Sequence, residues 1–197
     1  VNRRQDVELS VHTFPLDDSR TYDLLSRAET SGVFQLESTG MRDILKKLKP
    51  RQFGDLVALL ALYRPGPIGS GMVDDFIRRK HNPALIKYDH PALESILKDT
   101  YGVILYKEQV MRIVSELAGF SLAKADSLRR AIGKKIPEVM EREKQSFIEG
   151  ATKNDVRERI AEKIWGLIEY FSGYGFNKSH SAAYAMISFQ TAYLKAN

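Results

Sequence analysis

Residues 107–133 read KEQVMRIVSELAGFSLAKADSLRRAIG, and this stretch decides the fold. Val110, Ile113, Val114 and Leu117 recur at i, i+3, i+4 and i+7, the stripe of an amphipathic helix. Gly119 supplies the backbone freedom that ends a helix, and Ser121 can cap the next one. Leu122, Ala125, Leu128 and Ile132 then form a second apolar stripe, expected to be buried along its whole length. Two helical periods in succession, with no alternating strand pattern, set a mainly α expectation.

The same grammar continues on both sides. Towards the C-terminus, Pro137 opens a charged helix to about 153. Asn154 or Asp155 starts another, with Ile160, Ile164, Leu167, Ile168 and Phe171 on one face. Gly173-Tyr174-Gly175 breaks it, and a last helix runs from about Ser179 to the end. Ser181–Leu194 carries no charge, so this helix is expected to be buried all round and to hold its own N-terminus rigidly. Towards the N-terminus, Val103–Tyr106 reads as a short strand or a buried extended segment. Helices are expected at about 20–29, from the Ser38 cap to Leu48, at 52–62, 71–80 and 91–98. Gly32–Leu36 looks extended, and Arg64-Pro65-Gly66-Pro67 reads as a rigid turn. The sum is roughly ten helices with very little β structure and connections of ordinary length.

The 197 residues suffice for one sizeable core, and 43% hydrophobic with 28% charged residues exclude wholesale disorder. Zero cysteines exclude disulfides, thiolate metal sites and cysteine nucleophiles, and fit a cytoplasmic setting. No apolar run approaches the ~20 residues of a membrane helix. Thirty Lys and Arg against 25 Asp and Glu give a net charge of +5, which says little as an average. The chain starts at Val1 and ends at Asn197 with no stop signal in its pattern, and is expected to be a piece of something longer.

Two constellations carry chemistry. Lys124, Arg129, Arg130, Lys134 and Lys135 place five positive charges in twelve residues against Asp126 alone. This is either a solvated helix face, with Asp126 pairing to Arg129 or Arg130 at i+3 or i+4, or a polyanion cradle. Guanidinium forks match phosphate oxygens, and a triphosphate calls for several such donors together. The second constellation is Tyr170–Ser181, in which glycines flank aromatics and Asn177, Lys178, Ser179 and His180 stand where a helix begins. Free N–H groups there favour an anion, and Tyr174 and Phe176 could stack on bases. The alternative is a glycine-rich helix connector with its aromatics in the core. Asp17-Asp18 and Asp74-Asp75 are adjacent pairs whose side chains diverge, so neither resembles a two-metal site. His12, His81, His90 and His180 are scattered, and no metal site, P-loop or catalytic triad is expected in this chain.

Five motifs stand in order: Gly32–Ser38, Tyr63–Pro67, Leu105–Met111, Leu128–Lys135 and Gly173–Tyr184. Together they closely resemble the fingers region of the C-family replicative DNA polymerases, the family of the bacterial polymerase III alpha subunit. The likeness covers nearly the whole chain. It implies a multi-helix fingers domain over 31–197, with 1–30 as lead-in from a preceding palm region. It implies a bacterial DNA-directed DNA polymerase (a nucleotidyltransferase acting in DNA replication) as the parent, using Mg²⁺ held by palm aspartates outside this chain. The chain alone would then be inactive, with no catalytic residue of its own. By the same resemblance, Arg129, Arg130, Lys134 and Lys135 face the triphosphate of an incoming deoxynucleotide (dNTP). Asn177, Lys178, Ser179 and His180 line its phosphate and sugar side, so that the domain caps the nascent base pair. Arg64 and Tyr174 are candidate template or nucleotide contacts, or Arg64 is a structural residue paired to an acid. Tyr106–Gln109 lies near DNA or simply opens the following helix. Implied partners are the dNTP, primer-template DNA, other polymerase domains and, through regions outside this chain, the sliding clamp and other replisome subunits; no membrane is implied. The rival class is a non-enzymatic helical module binding single-stranded nucleic acid or protein.

Overall fold

A computed structural model describes residue 10, residues 13–134 and residues 137–197, with the backbone alone at 132 and 133. Eleven α-helices occur among the described residues, with no named strand. The chain divides into two compact units, one running up to Leu60 and including Ser179–Asn197, the other Ala61–Lys178. The boundaries fall inside one helix and just after the first residue of another.

The first unit contains α1 (Ser19–Ser26), α2 (Thr39–Leu48), most of α3 (Phe53–Leu62) and nearly all of the last helix (Lys178–Ala196). Asp18 caps α1, accepting from the Thr21 N–H at 2.8 Å, and Ser38 caps α2 through the Met41 N–H. The segment expected to be extended at Gly32–Leu36 is instead a compact turn. Gln35 takes φ +62°, the Leu36 N–H donates to Val33 O, and Thr30 Oγ1 donates to Leu36 O at 2.5 Å. The buried Thr30 and Val33 pull the chain inward, where an extended run would leave their polar groups unpaired. The last helix also departs from expectation. Ser181, Ala185, Ser188, Phe189 and Ala192 are buried, whereas Tyr184, Ile187 and Leu194 are exposed. Its Ser181–Leu194 stretch is uncharged, but only one stripe packs. Phe189 anchors that stripe against Tyr22 at 5.7 Å and Phe53 at 6.3 Å, and Ser181 Oγ donates to Val57 O.

The second unit follows with α4 (Pro65–Gly69), α5 (Met72–His81), α6 (Ala92–Leu97), α7 (Lys107–Ala118), α8 (Leu122–Lys134), α9 (Pro137–Lys153) and α10 (Glu158–Ser172). Pro65 at a first-turn position lets the expected rigid turn continue as one helical turn. Helices α7, α8 and α9 pack on one another, and α10 packs on α9. Their shared core holds Ile113, Val114, Phe147, Ile164, Trp165 and Ile168 at 0% exposure, each worth about 1.5–3 kcal/mol of burial. Gly119, at φ +68°, ends α7 as the sequence requires. Ala125 and Leu128 join the core, but Leu122 is 79% exposed. As the first residue of α8, its Cβ leans back beyond the packed turn. The side chain of Ile132 lies outside the described residues.

Candidate functional site

Residues 103–106 are buried, and Tyr106, in an extended conformation, makes one parallel bridge with Phe176. The Lys107 N–H donates to Phe176 O at 2.9 Å. This bridge brings the Gly173–Asn177 connector to the start of α7. The buried Gln109 locks that start from inside. Its Oε1 accepts the N–H groups of Leu105 (2.8 Å) and Tyr106 (2.9 Å), and its Nε2 donates to Thr100 Oγ1 at 2.8 Å.

The connector is gripped by residues far away in sequence. Arg64 donates from Nε to Ala61 O at 2.8 Å and from Nη2 to Tyr174 O at 2.6 Å. Its guanidinium carbon lies 4.4 Å from the centre of the Phe176 ring. Burial pulls the Arg64 pKa below its ordinary value. These partners are carbonyls and a ring, where an acid was one expectation. Tyr174 meets Tyr170 edge-on at 5.7 Å, and Tyr170 donates to Ser70 O at 3.2 Å. A Cβ at Gly66 would fall 2.3 Å from Tyr174 Cδ1, and one at Gly175 2.7 Å from the ring of Phe171. Both glycines are there for close approach.

At the connector's end, the Lys178 N–H donates to both carboxylate oxygens of Glu108 at 3.1 Å. The Lys178 ammonium lies 5.5 Å from the centre of the Tyr106 ring. Burial, with Glu108 and Asp99 adding, pushes the Tyr106 hydroxyl pKa up. Asn177 is exposed. Ser179 and His180 open the stretch belonging to the first unit, where His180 packs on Tyr184 at 4.6 Å.

The basic cluster is organised differently. Arg129 Nε donates to Asp126 Oδ1 and Arg130 Nε to Oδ2, both at 2.8 Å. Arg130 also places Nη2 at 2.8 Å from Oδ2. The Arg129 hydrogen bond, opposed by desolvation and supported by the Arg130 hydrogen bond and the charge of both arginines, holds the Asp126 carboxyl below the usual carboxylate range. The Arg129 side chain is 31% exposed and that of Arg130 70%. This pairing is the one the solvated-face reading expects, and it also aligns two guanidinium forks on one carboxylate. Lys124 turns aside, over the Phe120 ring at 3.9 Å and 3.7 Å from the buried Glu143. Lys134 is exposed, and Lys135 lies outside the described residues.

The structure thus joins Arg129 with Arg130 on Asp126, and Lys178 with Glu108 and Tyr106. Sequence reasoning did not find the reach of Glu108 to Lys178 or of Arg64 to Tyr174. No local signal marks pairs 70 and 110 residues apart. Among the described residues, no group of three or more His, Cys, Asp or Glu is placed to hold a metal ion, and no helix is long and apolar enough to cross a membrane.

The family profile of the bacterial DNA polymerase III alpha subunit finger domain matches residues 1–155. This chain belongs to that family. The finger-domain chain is 53% identical over 206 aligned positions to the DNA polymerase III subunit alpha of Pseudomonas aeruginosa, covering 100% of this chain and 18% of that protein. It is 52% identical to the Escherichia coli K12 protein of the same name, with the same coverage. It is 51% identical to that of Aquifex aeolicus, covering 100% of this chain and 17% of the relative. The finger-domain sequence therefore spans under a fifth of the length of these relatives.

Proposed function

We propose that this chain is the nucleotide-binding fingers part of a replicative DNA-directed DNA polymerase, and that Arg129 and Arg130 receive the triphosphate of the incoming deoxynucleotide. The observation that carries the reading is the match of residues 1–155, Arg129 and Arg130 among them, to the finger-domain profile; in the structure Asp126 takes both arginines by their inner Nε edges. The outer edges of the guanidinium groups are left for phosphate oxygens, and the exposed Lys134 adds to the field. Asn177 and Lys178 serve the phosphate and sugar side of the nucleotide. Ser179 and His180 carry the same role by family likeness, and Lys135 stays with the basic cluster in this proposal. Primer-template DNA is the second ligand, and capping of the nascent base pair is the mechanical role.

Phosphoryl transfer rests on positioning and on stabilising developing charge, and cations fixed in advance do both. Among the described residues no group of three or more His, Cys, Asp or Glu is placed to hold a metal ion, and the roles proposed for the residues of this chain are binding, orientation and charge neutralisation. Any Mg²⁺ belongs to residues elsewhere in the polymerase.

The test is titration of a deoxynucleoside triphosphate into the full-length protein with primer-template DNA, at rising salt. Binding is expected to weaken steeply with ionic strength and to be lost in the Arg129→Ala/Arg130→Ala double variant. Salt-independent binding that survives the double substitution would overturn the proposal.

A further inference from the structure

Any helix N-terminus presents N–H groups with no partner inside the helix. At Lys178 one of these is already taken by a carboxylate from another helix, Glu108, through two equal 3.1 Å contacts. The same short segment, Tyr106-Lys107-Glu108, makes three contacts with the end of the connector and the first residue of the last helix. Tyr106 lies beneath the Lys178 ammonium, Lys107 bonds Phe176 O, and Glu108 bonds the Lys178 N–H. Gln109 fixes that segment from the buried side. The glycines at 173 and 175 give the connector little stiffness of its own. Its course is therefore set by what grips it.

We propose that Glu108 is a positioning residue for nucleotide use. It clamps the start of the last helix so that Asn177 and Lys178 are held ready for the phosphates, without itself touching the nucleotide. This inference rests on the reading of Lys178 as a nucleotide contact. A carboxylate at a helix start stabilises that start through both the hydrogen bond and the helix dipole. Gln keeps one acceptor and loses the charge, whereas Ala loses both. The series Glu108→Gln, Glu108→Ala therefore grades the clamp without altering the ammonium it serves.

The experiment compares Glu108→Ala, Glu108→Gln and Lys178→Ala in the full-length protein. It measures KM for the deoxynucleotide and kcat in primer extension, primer-template affinity by anisotropy, and thermal unfolding. Glu108→Ala is expected to raise KM about five- to tenfold with kcat and DNA affinity within about twofold, and Glu108→Gln to recover most of the loss. If Lys178→Ala raises KM while Glu108→Ala leaves it at the wild-type value, the clamp is overturned and the nucleotide reading stands. If Lys178→Ala is also silent, both fall. If Glu108→Ala lowers kcat, DNA affinity and melting temperature together, with no recovery in Glu108→Gln, Glu108 is a general structural residue and the positioning role is overturned.

Discussion

The arginine pair on α8 and the connector before the last helix solve the same problem in opposite ways. Arg129 and Arg130 are oriented by a carboxylate one turn away on their own helix. Lys178 is oriented by a carboxylate 70 residues away, on a connector that Arg64 grips across 110 residues. The arginine arrangement survives wherever the helix survives. The lysine arrangement exists only when the second unit is fully assembled.

The largest expected effect breaks the first member of the comparison. Arg130→Ala should weaken nucleotide use by roughly 2–4 kcal/mol in transition-state terms, read from kcat/KM in primer extension. Steady-state kinetics within about twofold of wild type would remove Arg130 from the site. Next comes the connector. Gly175→Ala drives a methyl into Phe171, which is 1% exposed and has no room to move. Stability should fall by about 1–3 kcal/mol in denaturant titration. Unchanged stability would show that the connector is not tightly held.

The smallest effect concerns Asp126. Its pKa is depressed in the folded protein by the Arg129 and Arg130 hydrogen bonds. The stabilising contribution is therefore present above the ordinary carboxylate pKa and is lost as pH falls through the depressed folded value. Wild type and Asp126→Asn should differ by a constant margin from about pH 5 to 8 and converge below about pH 4. A margin that changes near neutrality would point to a different titrating group. Because the pair is exposed, the margin itself is small.

The division between near and far also explains what could be read in the sequence. The α7 stripe, Gly119 as terminator, Ser38 as cap and the Asp126 pairing are all interactions within one or two turns. Each follows from residue types at fixed spacing. The turn at Gly32–Leu36 was not legible, because Gln35 adopts a left-handed conformation within a turn closed by the buried Thr30 bond to Leu36 O. Nor was the one-sided packing of the last helix. Absence of charge permits burial on every side, but the number of packing neighbours decides how many faces are used. Among the candidate site residues, recognition picked out Arg64 and Lys178 by type, while the partners that hold them belong to tertiary structure alone.

The grip of Arg64 on Tyr174 has a consequence for the order in which the second unit folds. Its bond closes a loop of 110 residues, and Glu108–Lys178 closes one of 70. Long closures cost entropy that is recovered only when the intervening chain is already compact. The α7–α10 core should therefore condense first, with Arg64 and Glu108 seizing the connector last. A chain emerging from the ribosome would present its paired arginines well before its lysine is locked in place.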